Sequence, residues 1–437
     1  MAWEKEISLA DALHSNAHAE GLNLYLAKFP TLARWYIDSR EWEAHGLDLP
    51  LLEALRPAEQ EAVKRFHFAA DRRMSLSSHL LKYLYIHHAC GVPWKDIVLS
   101  RTPMPENRPI YNSSPNIKID FNVSHQAGLT TLAGVEAPDH KQYEGQSEAE
   151  SSPLPRVGID VTCVNEHRRK KVSTLKEFID HVSMFTEVFS DAELETMKDP
   201  VSTLRRARKL GMANAFSLVG EDEANSKVYS DETIVRYGMR MFYSYWALKE
   251  AYLKMTGDAL LAPWVRTLEF TDVIPPDPVE PLVAPKPYAI PQSPSDILQS
   301  PKNWGAPYSG VTVTKAGEQI IDVRLQLVAL ESDYIVATAG LGPPVGVVPR
   351  FSLNSGKHHL PGLIRVRSGE TVEDHPIAIS TKKVVGDMDP WNVPFPIIDP
   401  WLPFQEVDVN IDIRPCAEGR CIHPEDPSLV LARVSAA

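Results

Sequence analysis

Two stretches of the sequence carry charged side chains at spacings that could do chemistry. In the first, V-G-I-D-V-T, apolar and polar residues alternate as in a strand, so Asp160 and Thr162 lie on one face. In the second, Trp246, Glu250 and Lys254 are four residues apart and form one helical ridge opposite an apolar stripe. An aspartate on a rigid strand can hold a metal ion. Taken alone, each stretch is better explained as a polar strand face or a solvated Glu–Lys pair.

Three further features could bind phosphate. The segment F-N-V-S-H ends in Ser124 and His125, whose hydroxyl and imidazole can bind an anion together with the amides of the following turn. Arg108 is held in an extended segment by the proline that follows it. Four basic residues lie on a long helical segment: Lys64, Arg65, Arg72 and Arg73. Alone, these features are also typical of a capped strand end, a loop and an exposed helix face.

The composition excludes several classes of partner. The 437-residue chain has a net charge of −12, so it is not built to coat nucleic acid or an anionic membrane. Its four cysteines are too few and too scattered for a disulfide framework, which favours a reducing compartment. No apolar stretch approaches the length of a membrane span, and the N-terminus lacks the pattern of a secretory signal. We therefore expect a cytoplasmic protein that binds neither nucleic acid nor membrane.

The elements that must position these residues follow from the hydrophobic pattern. Helical spacing predicts one helix from Glu59 to Ala89, ended by Gly91, and another from Phe242 to Met255, ended by Gly257. Alternation predicts strands at 119–123, 129–135, 157–161, 322–330 and 334–339. Two strand–turn–strand units each close a stretch with a long helix, which indicates two similar α+β halves.

The motifs R-P, F-N-V-S-H, G-I-D-V-T and W-x-x-K-E-x-x-x-K, in this order, resemble the Sfp-type 4′-phosphopantetheinyl transferases, particularly the fungal members. The resemblance runs from about Arg34 to Gly340, with large insertions. It implies an α+β fold in which two similar halves form a pseudo-dimer, with coenzyme A bound in the cleft between them.

The expected domain boundaries combine this fold with the composition of the chain. We predict an N-terminal α+β half at residues 1–136, a polar linker at 137–156 and a C-terminal half at 157–341. The second half carries insertions near 192–231 and 274–308. A proline-rich C-terminal extension at 342–437 lies outside the resemblance, so a chain ended after Pro344 is expected to keep the cleft.

The resemblance also implies a metal site. Asp160 and Glu250 would coordinate Mg²⁺, and Glu250 would also act as the general base. Lys254, near the pyrophosphate, would assist catalysis, and both Asp160 and Lys254 would contribute to the coenzyme A site. Many bacterial relatives have glutamate where this chain has Thr162. Water, or a weak contact from the Thr162 hydroxyl, is therefore expected to complete the metal shell. If water does so, Thr162→Ala is expected to cost little.

Five more residues match or neighbour positions that bind coenzyme A in the family. Ser124 and His125 match residues that contact the nucleotide phosphates. Arg108 matches a basic residue near the 3′-phosphate, although the glycine that often precedes it is replaced by asparagine here. Arg73 and Arg40 are further candidates for the same task.

The implied activity is that of a holo-acyl-carrier-protein synthase. The enzyme would transfer the 4′-phosphopantetheine arm of coenzyme A to a serine of apo acyl or peptidyl carrier proteins and release 3′,5′-ADP. The fungal relatives modify polyketide synthases, non-ribosomal peptide synthetases and the aminoadipate reductase of lysine synthesis, so their carrier domains are the expected partners. The internal pseudo-dimer favours a monomer.

Two alternatives stay open from the sequence. One is a coenzyme A-binding or carrier-docking protein that has lost catalysis, which the joint presence of Asp160, Glu250 and Lys254 argues against. The other is a Mg²⁺-dependent phosphohydrolase that uses water as the nucleophile, which the lack of a denser Asp/His cluster argues against.

Overall fold

A computed structural model describes fifteen stretches of the chain: residues 4–7, 32–44, 46–104, 106–111, 119–136, 155–166, 169, 171–216, 220–221, 227–258, 262–279, 304–342, 364–367, 401 and 403–421. Nearly all of the predicted linker at 137–156 lies outside them. So do residues 280–303 of the predicted insertion near 274–308 and most of the extension at 342–437.

Eight α-helices lie in the described stretches: α1 Arg40–Ala44, α2 Pro57–Lys64, α3 Ala69–Cys90, α4 Leu175–Ser183, α5 Asp191–Lys198, α6 Pro200–Lys209, α7 Asp231–Thr256 and α8 Arg414–Ala417. Short 3₁₀ turns occur at Leu52–Ala54, Trp94–Asp96 and Val265–Thr267, and a π-helical turn at Val409–Ile413 leads into α8. Among the described residues, no helix is both long enough and apolar enough to cross a bilayer.

Sixteen strands accompany these helices: β1 Glu4–Ile7, β2 Ala33–Asp38, β3 Ser100–Arg101, β4 Pro109–Ile110, β5 Ile119–Gln126, β6 Leu129–Glu136, β7 Arg156–Cys163, β8 Gly220–Glu221, β9 Lys227–Val228, β10 Leu268–Thr271, β11 Thr312–Lys315, β12 Glu318–Gln319, β13 Val323–Leu330, β14 Tyr334–Leu341, β15 Ile364–Arg367 and β16 Gln405–Glu406. The five strands predicted from alternation are confirmed as β5, β6, β7, β13 and β14.

The long helices differ from the prediction at their beginnings and agree with it at their ends. The helix predicted from Glu59 is two helices, because α2 stops at Lys64 and α3 begins at Ala69. The period of apolar residues continues across this break, and Phe66, counted as part of the buried stripe, is exposed. Helix α7 begins eleven residues before the predicted position. Both helices end where predicted, at glycines with positive φ (63° after α3 and 90° after α7), a conformation that costs glycine little.

Two halves with the same topology confirm the predicted pseudo-dimer. The first half consists of strand β2, helix α3 and the β5–β6 hairpin, and the second of strand β7, helix α7 and the β13–β14 hairpin. In each half, the second strand of the hairpin pairs antiparallel with the single strand, giving the orders β2-β6-β5 and β7-β14-β13. The long helix packs on one face of each sheet.

The two sheets meet edge to edge at strands β5 and β7. Three side-chain oxygens of β5 accept hydrogen bonds from backbone N–H groups of β7: Asp120 from Val157 (2.7 Å), Asn122 from Ile159 (3.2 Å) and Gln126 from Cys163 (2.8 Å). Each pair is 37 residues apart, so the two strands run in the same direction with a constant offset. Part of the F-N-V-S-H motif therefore joins the halves, satisfying edge N–H groups that burial would otherwise leave unpaired.

The core has three parts. One surrounds α7 in the C-terminal half, and a second surrounds α3 in the N-terminal half. The third lies between the opposite faces of the two sheets and contains Val157, Ile159 and Val161 of β7. The alternation in β7 therefore directs its apolar side chains between the sheets and leaves Asp160 and Thr162 on the face toward α7.

Residues 401 and 403–421 of the C-terminal extension pack on the two halves. Strand β16 pairs parallel with β2, and Trp401 and Phe404 are buried between the sheets. The rings of Phe404 and Trp304 stack with centroids 4.1 Å apart. Arg34, itself buried, donates to the carbonyl of Trp401 at 3.3 Å. This packing argues against the expectation that a chain ended after Pro344 keeps the cleft, because its removal would expose two parts of the core.

Candidate active site

Asp160 is the centre of a polar cluster at the seam between the halves. The side chain is 5% exposed. Its Oδ1 accepts hydrogen bonds from Ser124 Oγ at 2.8 Å and from Lys254 Nζ at 2.6 Å, and its Oδ2 accepts one from Thr162 Oγ1 at 3.0 Å. Lys254 Nζ also donates to Ser124 Oγ at 3.0 Å. Strand β5, strand β7 and helix α7 thus converge on one carboxylate.

Gly158 explains how helix α7 comes close enough to β7 for this contact. A Cβ atom at Gly158 would overlap the backbone of α7 at Ala251 and Met255. Only glycine therefore allows the helix to lie directly on the strand. Since Asp160 is on the same face as Gly158 and two residues along, it meets the ridge of α7 that carries Lys254. The glycine of G-I-D-V-T has a structural purpose that the motif alone does not reveal.

Glu250 lies one turn before Lys254 on the same ridge and is half-buried. Burial raises the pKa of its carboxyl group; nearby Asp160 raises it further, and Lys254 opposes the shift. The two carboxylates are therefore close enough to repel each other electrostatically. Mg²⁺ is usually held by one or two carboxylates together with substrate phosphates and water, so Asp160 and Glu250 are a donor set that fits this ion.

Lys249, the neighbour of Glu250 in the motif, is structural. It is completely buried and forms an ion pair of 2.9 Å with Glu193, which is 2% exposed. Its ammonium also donates to the carbonyls of Val265 and Leu268, which fastens α7 to the segment that leads into β10. Trp246 is half-buried against the C-terminal core rather than opposite the apolar stripe. The predicted ridge is polar only at its C-terminal end.

Ser124 and His125 lie on opposite sides of strand β5, as consecutive strand residues must. Ser124 is buried against Asp160, whereas the His125 side chain is exposed and on the α3 side of the sheet. Partial desolvation together with Lys254 and Lys82 lowers the pKa of His125, so the imidazole is neutral at pH 7. A neutral imidazole can donate one hydrogen bond to a phosphate oxygen without adding a full charge.

Lys82 was not singled out from the sequence. It lies on α3, is 8% exposed, and burial together with Arg101 lowers its pKa to about 8. His79, one turn earlier, has its pKa lowered to about 3 by burial and by Lys82. A signal was present, because Lys82 interrupts the apolar run L-L-K-Y-L, where a charge must be satisfied or functional.

Arg108 does not join the Asp160 cluster. Its buried guanidinium forms an ion pair with Asp120 at 2.8 Å and donates to the carbonyl oxygens of Met255 and Val157. Val157 precedes Asp160 by three residues, which is about 10 Å along a strand. Arg108 therefore connects β5, β7 and the end of α7.

Arg40 and Arg73 lie in the N-terminal half, near the turn of the β5–β6 hairpin. Arg40 is partly exposed, pairs with Asp38 at 2.5 Å and reaches Glu331 of the other half at 3.2 Å. Arg73 is buried, and its neighbour Met74 accepts a hydrogen bond from the backbone N–H of Gly128 in that turn. Both residues thus lie near the end of β5 that carries Ser124 and His125.

The arrangement combines the buried carboxylate of Asp160 and the half-buried one of Glu250 with basic and hydrogen-bonding groups from both halves. Such a site can bind a polyanion through Lys254, His125 and Lys82 while the carboxylates hold a divalent cation. The Glu250 carboxylate, beside Asp160, can accept a proton. These are the requirements for transfer of a phosphoryl-linked group.

Comparisons with known proteins identify the fold and its class of activity. A family model described as "4′-phosphopantetheinyl transferase, N-terminal" matches residues 35–137, and one described as "4′-phosphopantetheinyl transferase superfamily" matches residues 156–284. The first match covers most of the N-terminal half, and the second covers β7 and α7 of the C-terminal half but ends before the β13–β14 hairpin. Both family models thus describe enzymes that transfer phosphopantetheine.

Fungal proteins are similar to this chain over most of its length. The chain is 40% identical to 4′-phosphopantetheinyl transferase A of Aspergillus fumigatus over 90% of this chain and 96% of that protein. It is 37% identical to 4′-phosphopantetheinyl transferase NpgA of Emericella nidulans over the same shares. It is also 26% identical to L-aminoadipate-semialdehyde dehydrogenase-phosphopantetheinyl transferase of Rattus norvegicus, over 52% of this chain and 54% of that protein. The chain belongs to the 4′-phosphopantetheinyl transferases, in their fungal Sfp-type branch.

The extent of the fungal similarity corrects one expectation. The resemblance found from motifs ends near Gly340. Ninety per cent of the chain is more than residues 1–341 contain, so the similarity to the Aspergillus fumigatus relative continues into the C-terminal extension. This agrees with the burial of Trp401 and Phe404 in the core.

Proposed function

We propose that the enzyme transfers the 4′-phosphopantetheine arm of coenzyme A to a serine of apo carrier domains and releases 3′,5′-ADP. The observation that supports this most strongly is the convergence of Ser124, Asp160 and Lys254 at the seam between the halves, with Glu250 beside them. A cleft at a seam allows each half to contribute part of the site: His125 and Lys82 from the N-terminal half, and Asp160, Glu250 and Lys254 from the C-terminal half.

Asp160 and Glu250 would hold Mg²⁺ in this proposal. The bound ion would neutralise charge on the pyrophosphate of coenzyme A as the nucleotide departs. Thr162 and Ser124 each donate a hydrogen bond to Asp160, so they fix the direction of its two oxygens. Because the carboxylate is held from both sides, its orientation does not have to be established when the substrate binds.

Glu250 would accept the proton of the carrier serine. The serine oxygen forms a bond to the β-phosphorus of coenzyme A, the bond from that phosphorus to the bridging oxygen breaks, and 3′,5′-ADP leaves with the electron pair. The serine proton goes to the Glu250 carboxylate. A carboxylate beside the metal, directly or through a water molecule, can accept that proton.

Lys254, His125 and Lys82 would bind the phosphate groups. Lys254 presents its ammonium at the carboxylate cluster, and Lys82 lies on the other wall, near His125. Arg40 and Arg73, at the adjacent turn, are candidates for the 3′-phosphate. Arg108 would support this wall through Asp120 and Val157 rather than by direct contact with the nucleotide.

The acceptors would be carrier domains of polyketide synthases, non-ribosomal peptide synthetases and aminoadipate reductase. The name of the rat relative refers to L-aminoadipate-semialdehyde dehydrogenase, which supports aminoadipate reductase as an acceptor. We propose that the enzyme is a monomer, since the cleft lies between the halves of a single chain. We also propose that it is cytoplasmic.

Mass spectrometry of a carrier domain tests the proposal. The purified enzyme is incubated with coenzyme A, Mg²⁺ and an apo carrier domain, and the carrier serine is expected to gain the mass of phosphopantetheine. Asp160→Asn keeps the size of the side chain but removes the charge, and is expected to abolish transfer. Asp191→Asn, at an exposed position on α5, is the matched control and is expected to transfer normally.

The same experiment separates the alternatives. Coenzyme A that binds while the carrier stays unmodified would indicate a binding protein without catalysis. Coenzyme A that is cleaved while the carrier stays unmodified would indicate a phosphohydrolase. Normal transfer by Asp160→Asn would remove Asp160 from the metal site.

A further inference from the structure

A cluster of sulfur and imidazole groups lies where the C-terminal extension meets helix α3. His87 Nε2 lies 3.1 Å from Cys421 Sγ, although the residues are 334 positions apart. The Cys416 sulfur joins them, and the three donor atoms all lie within 4.8 Å of one another. His87 and Cys416 are buried and Cys421 is half-buried.

The second nitrogen of His87 is already engaged. His87 Nδ1 lies 2.7 Å from the carbonyl oxygen of Val92. A carbonyl oxygen can only accept a hydrogen bond, so Nδ1 carries the proton and Nε2 presents its lone pair toward Cys421. Histidines that ligate metals typically donate their other N–H to a carbonyl or carboxylate in this way.

The spacing of the donors fits a tetrahedral ion. Zn–S bonds of about 2.3 Å and Zn–N bonds of about 2.0–2.1 Å separate neighbouring ligand atoms by roughly 3.5–3.8 Å. His87 Nε2 and Cys421 Sγ, at 3.1 Å, are slightly closer than this, and all three donor atoms lie within 4.8 Å of one another, so small shifts of the side chains would admit the ion. His88 Nε2 lies 3.9 Å from Cys416 Sγ but is not within 4.8 Å of all three other donors.

We propose that His87, Cys416 and Cys421 form a structural Zn²⁺ site, in which the exposed side chain of His88 turns toward the ion to supply the fourth ligand. Thiolate and imidazole together select Zn²⁺ over Mg²⁺, which prefers oxygen ligands, so this site is distinct from the carboxylates at the seam. Four protein ligands close the coordination shell and leave no position for a substrate, as in structural zinc sites.

The site would fasten the extension to the N-terminal half. The segment that leads to the cysteines contains Val409 and Ile413, which are buried in the core around α3. A bond from Cys416 and Cys421 to α3 closes a loop of more than 300 residues, and the energy of metal binding then adds to the stability of the folded chain. The proposal is independent of the transferase mechanism.

Metal analysis of the unmutated enzyme is the first test. The full chain is purified without a metal-affinity tag, incubated with Zn²⁺ and freed of loosely bound ions. Inductively coupled plasma mass spectrometry is expected to find one zinc ion per chain. Replacement of Zn²⁺ by Co²⁺ is expected to produce thiolate charge-transfer absorption and the visible bands of a tetrahedral ion.

Cysteine variants assign the ligands. Cys421→Ser and Cys416→Ser are expected to lose the zinc and the Co²⁺ spectrum, and Cys421→Ser, at a half-buried position, is the variant expected to fold. Cys90→Ser is the matched control, since Cys90 is half-buried at the end of α3 and outside the cluster; it is expected to keep both. A chelator is expected to lower the unfolding temperature of the unmutated enzyme and of Cys90→Ser, but not of Cys421→Ser.

Three results would overturn the proposal. One is an unmutated enzyme that binds no zinc and gives no Co²⁺ spectrum, which would leave a thiol–imidazole hydrogen bond. Another is a disulfide between Cys416 and Cys421 in the purified protein, detected by mass spectrometry of alkylated peptides. The third is zinc retained at full stoichiometry by folded Cys421→Ser. Each readout is independent of phosphopantetheine transfer.

Discussion

Lys254 Nζ lies 2.6 Å from Asp160 Oδ1 and joins helix α7 to strand β7 at the seam between the halves. The lysine is 27% exposed at its side chain, whereas the aspartate is buried. The buried charge of Asp160 is thus compensated by a cation that reaches the solvent. Because Lys254 also contacts Ser124, a change at this seam acts on both halves of the site.

Thr162 tests how strictly Asp160 must be oriented. The expectation from the sequence was that Thr162→Ala would cost little, because water could complete the metal shell. The hydrogen bond from Thr162 Oγ1 to Asp160 Oδ2 changes this expectation. Thr162→Val keeps the shape but removes the donor, and the transfer rate is expected to fall about 10- to 150-fold, since a hydrogen bond to a charged group contributes about 1.5–3 kcal/mol. Thr162→Ser is expected to keep most of the rate.

The control for this prediction is Thr338→Val on the neighbouring strand β14, where the threonine is equally buried. Rates of transfer to an apo carrier domain are compared at saturating Mg²⁺. A loss from Thr162→Val as large as that from Asp160→Asn would mean that the hydroxyl itself is a metal ligand and would contradict a role in orientation alone.

Phe404 tests the role of the C-terminal extension. Its ring stacks on Trp304 and lies beneath the guanidinium of Arg34, 4.7 Å from the ring centroid. Phe404→Ala is expected to lower the free energy of unfolding by about 3–5 kcal/mol, the usual cost of removing a buried aromatic side chain. Denaturant unfolding measures it, and Ile411→Ala, at a side chain that is 74% exposed, is the control in the same segment.

A chain ended after Pro344 extends this test. Without the extension, the groove between the sheets and the outer edge of β2 are uncovered, so we expect poor solubility and loss of activity. A truncated chain that unfolds at the same denaturant concentration as the full chain would show that the extension contributes nothing to the core.

Lys82 gives the site a pH dependence. Since its pKa is lowered to about 8, the ammonium is charged below that pH and becomes neutral as the pH rises through it. Its attraction for the phosphates of coenzyme A is therefore present at pH 7 and weakened at pH 9. Lys82→Arg keeps the charge throughout, because the guanidinium stays protonated. Calorimetric titration should show affinity falling more steeply between these pH values for the unmutated enzyme than for Lys82→Arg. Equal slopes would exclude Lys82 from phosphate binding.

Local sequence patterns predicted the helices and strands, but they could not predict contacts between residues that are far apart in the sequence. Helices α3 and α7 end at the glycines that the sequence indicates because a C-terminal glycine is a local signal. The partner of Lys249 is Glu193, on a different helix, and no spacing reveals such a pair. For the same reason, the spacing of Glu250 and Lys254 alone could be interpreted as a solvated ion pair, because it does not reveal the contact of Lys254 with Asp160.

The contacts of Arg108 and of the C-terminal extension could not be predicted from the sequence for the same reason. The guanidinium of Arg108 is shared among Asp120, Val157 and Met255, which come from three different elements. Trp401 and Phe404 pack against strands several hundred positions earlier in the chain. Composition marked that region only as rich in proline and aromatic residues, because burial depends on partners that adjacent residues do not specify.

The central claim is that a carboxylate beside Asp160 removes the proton of the carrier serine. The activity of the Glu250→Gln variant tests this claim most directly. Glutamine keeps the size and one ligating oxygen but has neither charge nor basicity. Coenzyme A is expected to bind still, because Lys254, His125 and the other basic contacts remain. Transfer is expected to fall by at least about 10²-fold, the usual effect of losing a general base.

The two quantities are measured together: the calorimetric affinity for coenzyme A, and the rate of phosphopantetheine addition to an apo carrier domain at saturating Mg²⁺. Glu232→Gln, at an exposed position in the first turn of the same helix, is the control. The account predicts retained binding and lost transfer that additional Mg²⁺ does not restore. Unchanged transfer by Glu250→Gln would contradict it, and binding lost in step with transfer would leave Glu250 as a ligand-site residue without a role as the base.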